Sequence, residues 1–144
     1  MSDEISETRK LGLETMTKVY GWEMSDGPGD FFGYTVEHLF ADIWNRPGLS
    51  FRDRRLLLIG MLVGSGLDDV TPIQLGAAFD LGELGEDELR EIVIFLSHYA
   101  GWPKGAQLNS QVEEVIGSRR RSARKAAELA AEAAAESEPT SGSS

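Results

Sequence analysis

With no cysteine among its 144 residues, this chain cannot use a thiolate nucleophile, a disulfide relay or a cysteine metal site. Proton transfer therefore falls to carboxylates, arginines and two histidines. His98 stands in the run His98-Tyr-Ala-Gly-Trp-Pro103, at the end of an otherwise apolar helix and beside the aromatic rings of Tyr99 and Trp102. An imidazole placed there serves either as a proton donor at a pocket or as a donor to a backbone carbonyl at the helix end. Glu37 precedes Phe40 and Trp44 by three and seven residues, which sets it on the margin of an apolar helical stripe. A carboxyl group beside aromatic surface is harder to ionise, a useful property in a proton donor or relay. The competing reading of Glu37 is an ion pair with Arg46, Arg52, Arg54 or Arg55.

The run Arg52-Asp-Arg-Arg55 puts positive charge at a helix start, where it opposes the helix dipole. A negative partner is expected, either acidic side chains of the body or a substrate carboxylate held by a guanidinium fork. Metal binding has little support: His38 and His98 are 60 residues apart, and no carboxylate-histidine cluster stands at ligand spacing. His38 points about 100° away from Glu37 on a helix and reads as a surface or interface residue. No phosphate loop is present; Gly60, Gly64 and Gly66 lie on or after a helix and read as packing and termination residues.

These side chains are carried by an all-α pattern of helices separated by glycine and proline, with no run of period-two alternation. A first helix is expected over residues 4–20, followed by a glycine-rich loop. Val36, Leu39, Phe40 and Ile43 recur at helical spacing and predict an amphipathic helix ending at Trp44. Ser50 with Asp53 reads as a capping box for a helix over 51–65. Residues 56–63 are apolar on every side of that helix and predict its enclosure by other helices. Thr71-Pro72 reads as N-cap and N1 of a helix that Gly82 ends, and a further helix spans 86–100. On this last helix Leu89, Ile92, Val93 and Leu96 form one stripe and His98 lies opposite, so two apolar faces call for two partners. A terminal helix over 104–135 becomes alanine- and glutamate-rich, and 139–144 reads as disordered.

The length and the 41% apolar content suit one globular domain, assigned to residues 1–117, with 118–144 as a charged, alanine-rich tail. Net charge is −10, and the body to residue 117 carries nine basic against 20 acidic groups. Such a surface repels phosphate backbones, so no nucleic-acid partner is expected. The basic cluster Arg119, Arg120, Arg121, Arg124 and Lys125 lacks interleaved aromatics and reads as a solvated helical end. No apolar run is long enough to span a membrane, and residues 1–10 hold no signal-peptide core, which favours the cytoplasm.

The ordered set Glu37-His-Leu-Phe-x-x-Ile-Trp44, Arg46-Pro-Gly-Leu-Ser50, Arg52-Asp-Arg-Arg-Leu-Leu57 and His98-Tyr-Ala-Gly-Trp-Pro103 resembles the carboxymuconolactone decarboxylase family over about residues 9–117. The resemblance implies an AhpD-like helical bundle with a central helical hairpin, assembled as trimers or hexamers with pockets near subunit contacts. It also implies a lyase of aromatic catabolism that decarboxylates 4-carboxymuconolactone without a cofactor. The wider superfamily includes peroxidases using a C-x-x-C pair, which this chain lacks. Where many decarboxylase relatives carry a histidine before the A-x-x-x-G segment, this chain has Gln74, which orients a ligand but does not shuttle protons. The site implied by the resemblance has Glu37 and His98 as catalytic residues and Arg54, Arg55, Gln74, Tyr99 and Trp102 as substrate-binding residues, with a small-molecule substrate. Retention of Glu37 and His98 favours an enzyme; Gln74 favours a non-catalytic helical oligomer that binds a small ligand or serves a structural role.

Overall fold

The computed structural model describes residues 4–138, and every regular element among them is helical, as the sequence pattern predicts. Helix α1 (Glu7–Tyr20) begins three residues later than expected because Ser6 takes the N-cap, its Oγ accepting from the Arg9 amide at 3.2 Å. The expected tail disorder over 139–144 lies outside the described residues.

The segment before Trp44 differs from the expected regular helix. A short α2 (Asp30–Tyr34) runs into a π-helical turn over Thr35–Phe40 and then a 3₁₀ turn at Ile43–Asn45. The Ala41 amide donates to the Val36 carbonyl at 3.0 Å, a bond five residues long. This wider turn moves burial to i, i+4, i+8: Val36, Phe40 and Trp44 are buried, while Leu39 is 42% exposed and Ile43 stands at the surface. The buried three pack with Met16 and Val19 of α1 into one core cluster.

Helix α3 (Phe51–Gly64) takes Ser50 as its N-cap as expected, Ser50 Oγ accepting from the Asp53 amide at 3.1 Å, but the return bond from the Asp53 side chain that would complete the capping box is not formed. Its enclosure is incomplete within one chain. Ile59, Leu62 and Val63 are buried, whereas Leu57 is 64% and Met61 50% exposed on its outer side. In α4 (Thr71–Asp80) the N-cap is Val70 and not Thr71, whose hydroxyl donates back to the Leu67 carbonyl at 3.0 Å.

Helix α5 (Glu86–Ala100) and helix α6 (Trp102–Ser137) form an antiparallel hairpin through a single linking residue, Gly101, at φ 100°. That dihedral belongs to glycine. Close packing of the hairpin depends on Gly105, where a Cβ would stand 1.9 Å from Ser97 Oγ. Leu89 and Val93 of α5, Leu108, Val112 and Ile116 of α6, and Ile59 and Leu75 from α3 and α4 build the second core cluster.

Helix α6 continues past residue 117 without a break. Arg119 grips Asp80 at 2.8 and 2.9 Å, and Arg120 pairs with Glu86; from Arg120 onward every described residue is exposed. Exposed ion pairs contribute little. Truncation after Gly117 should therefore cost about 1 kcal/mol or less, read as a melting-temperature shift of a few degrees. A much larger drop would show that the distal helix packs on the body.

Candidate active site

Two positions three residues apart on α3 divide the arginines into different roles. Arg55 is fully buried. Its Nε and Nη2 donate to the two Glu83 carboxylate oxygens at 2.8 and 3.3 Å, and Nη1 donates to the Val19 carbonyl and to Gln74 Oε1. The guanidinium also lies 6.0 Å from the Trp44 ring centroid. This hub ties α1, α3, α4 and the loop before α5 together, so Arg55 and Gln74 are engaged with the fold. Arg54 donates to the carbonyls of Arg46 and Leu49 and fastens the Arg-Pro-Gly-Leu turn.

Arg52 faces outward from the same helix start. Its Nε donates to the Glu83 carbonyl at 3.0 Å and its Nη2 to Glu88. The Glu88 carboxyl is held below its ordinary pKa, first by the Gly85 amide and then by Arg52. Body carboxylates thus supply the negative charge that the Arg-Asp-Arg-Arg run calls for. Beside this pair a groove of about 450 Å³ runs between α3 and α5, walled by Leu56, Ile92, Phe95 and Leu96 with Arg52, Glu88 and Glu91 along it. Gly60 lines the groove and has nothing within 4 Å of its missing Cβ, so it leaves space there and is not a packing residue.

Glu37 is half exposed and lies 3.6 Å from Arg9 Nη1, not beside any of the four arginines weighed from sequence. Arg9 also donates to Asp26 at 2.8 Å and to the Gly27 carbonyl at 2.7 Å, and Asp26 chiefly raises its pKa. Together Arg9, Asp30, Tyr34 and Glu37 border a polar recess of about 470 Å³. Phe31 and Tyr34 stand largely in the open near it.

His98 is exposed at the far end of α5. Its Nδ1 lies 2.7 Å from the Ile94 carbonyl, the backbone contact weighed from sequence, and its ring meets Trp102 edge-on at 5.8 Å. A carbonyl contact requires the proton on Nδ1 and leaves Nε2 facing outward. Tyr99 is 81% and Trp102 68% exposed; Trp102 borders an open recess of about 310 Å³ on the hairpin with Val93, Ile94 and Asn109, whereas Tyr99 lines no recess shared with Glu37. Glu37 and His98 border different features: Glu37 the recess of α1 and α2, His98 the end of the hairpin. His38 is exposed, 3.8 Å from Asp42. Among the described residues no group of three or more histidine or acidic side chains is placed to hold a metal ion.

Sequence reasoning did not find Arg9 as the partner of Glu37 or Glu83 as the partner of Arg55, since both contacts join distant segments. Arg52, the arginine along the groove, was likewise missed in favour of Arg54 and Arg55; the one signal for it was the positive charge of the whole Arg52–Arg55 run at a helix start.

No protein-family model matches the chain. Among curated proteins it is 32% identical over 124 residues to a 4-carboxymuconolactone decarboxylase of Acinetobacter baylyi, spanning 81% of this chain and 90% of that relative. A match of that extent takes in most of the folded body. The chain belongs to the carboxymuconolactone decarboxylase family and is a member without cysteine.

Proposed function

We propose that the protein is a carboxy-lyase acting on a small carboxylated lactone or a related unsaturated acid, by proton transfer without a metal or organic cofactor. The observation that carries this reading is the likeness to a decarboxylase over 81% of the chain. The groove between α3 and α5 gives the reaction a place, being wide enough for a small acid and apolar along its walls. Arg52 offers a guanidinium fork to one carboxylate, and Glu88 keeps the Gly85 amide when Arg52 turns to substrate.

The leaving carboxylate would lie against Phe95 and Ile92, where poor solvation favours its loss. Its bond to the ring carbon breaks, carbon dioxide departs, and the electron pair passes into the conjugated lactone carbonyl. The resulting dienolate then takes one proton on carbon. Glu91 borders the groove within the same chain. Glu37 and His98 serve as proton-transfer groups when a neighbouring subunit brings them to the site.

Exposed Leu57, Met61, Ile94, Phe95, Tyr99 and Trp102 support such an assembly, since large apolar side chains in this number mark an interaction face. Sedimentation at micromolar concentration should report a trimer or hexamer; a stable monomer would remove the shared site. The reaction itself is tested by incubating the chelator-treated protein with 4-carboxymuconolactone in deuterated water. Carbon dioxide release with deuterium at the new C–H bond is expected, and its absence with this and related carboxylated lactones would overturn the enzyme reading.

A second reading is a ligand-binding oligomer without turnover. It is favoured by the Arg55–Gln74 contact, which spends two of the substrate-binding candidates on holding helices together. Calorimetric binding of a lactone acid that is recovered unchanged would establish it.

A further inference from the structure

The distal part of α6 carries a surface that nothing in the decarboxylase reading uses. Residues 121–137 are helical and exposed on all sides, about 25 Å of helix standing clear of the body. Their charges are segregated along the axis. Arg121, Arg124 and Lys125 lie at the body end, and Glu128, Glu132 and Glu136 follow. At 100° per residue all six fall within one arc of about 120°, and the remaining surface is alanine, serine and the half-exposed Leu129. The order is unfavourable for an isolated helix, because the glutamates crowd the negative end of its dipole.

We propose that α6 pairs with α6 of a second copy of this chain, antiparallel, through residues 121–137. Ser122, Ala126, Leu129 and Ala133 repeat at the four-three spacing of a coiled-coil seam. Run antiparallel, Ala126 of each helix faces Leu129 of the other and Ser122 faces Ala133, so the large side chain always meets a small one. Lys125 and Glu132 flank this seam, and the antiparallel register sets each Lys125 beside the other copy's Glu132, twice by symmetry. The partner also brings its basic end to the acidic terminus, which offsets the unfavourable dipole. Parallel pairing would instead set Leu129 on Leu129 and the basic ends side by side.

The absence of native cysteine makes the register directly readable in the full-length chain. Two variants, Ser122→Cys and Ala133→Cys, are oxidised alone and as an equal mixture. Antiparallel pairing predicts a disulfide-linked dimer from the mixture and little from either variant alone, since like positions then stand about 16 Å apart. Lys125→Glu in the Ser122→Cys background should slow cross-linking to Ala133→Cys about threefold, and Glu132→Lys in the Ala133→Cys background should restore it. Cross-linking of each variant with itself, with none between them, would mean parallel helices and overturn the proposal. No cross-link in any combination would assign the surface to a different partner or to solvent, and would overturn it equally.

Discussion

Replacing Arg55 with leucine should cost the folded chain about 3–5 kcal/mol, the largest loss we expect from any single substitution. The guanidinium is fully buried and its partners are nearly so, with the Glu83 side chain 12% exposed. Leucine fills part of the volume but strands a carboxylate, the Val19 carbonyl and the Gln74 amide oxygen away from water. Because domains of this size hold only about 5–15 kcal/mol in total, the variant should sit close to its unfolding threshold. Urea unfolding followed by far-ultraviolet circular dichroism gives the number. Glu83→Leu alone should also be costly, while the double variant should recover part of the loss, because no lone charge then remains inside. A loss below about 1 kcal/mol in the Arg55 variant would mean that water reaches the hub.

Glu37→Gln and His98→Asn should each lower turnover of the decarboxylated substrate by about two orders of magnitude or more, with the oligomer intact. Arg52→Ala should act differently, raising KM more than it lowers kcat, because a carboxylate-binding fork holds ground state and transition state alike. The placement of Glu37 and His98 on separate features of one chain adds a sharper expectation. Inactive Glu37→Gln and inactive His98→Asn subunits, unfolded together and reassembled, should regain activity, since mixed contacts rebuild some sites with both native groups. Unimpaired turnover in both single variants would remove Glu37 and His98 from the proton step and transfer it to Glu91. Failure of complementation with both variants impaired would mean that the two groups act in separate sites.

Helix identity was legible wherever local rules decide it. Ser50 caps α3 as its spacing with Asp53 implies, and α5 spans the residues that glycine and proline bracket. The all-α class and the family followed from such local signals in order. Partners were less legible. Glu37 meets Arg9 and Arg55 meets Glu83 across 28 residues in each case, and a list of nearby arginines ranks neither contact. Arg54 and Arg55 were equivalent in sequence as candidates for a substrate carboxylate; one residue of helical rotation sends the first to a surface turn and the second to the core. The apolar run over 56–63 reads as a buried helix, yet Leu57 and Met61 face outward, because sequence alone does not distinguish enclosure by one chain from enclosure by several.

The π-helical turn at Thr35–Phe40 places one residue more in a turn than an α-helix does, so this segment has the form of a helix that gained a residue without losing its place in the core. Removing one residue between Val36 and Phe40 would bring Val36, Phe40 and Trp44 to the i, i+3, i+7 spacing of one α-helical face, which keeps Trp44 stacked on Phe40 and close to Arg55. What descends with this stretch of sequence is thus a phase as well as a composition: the turn can take up a change of length by one residue, whereas a loss of volume at Val36, Phe40 or Trp44 is read immediately by the core.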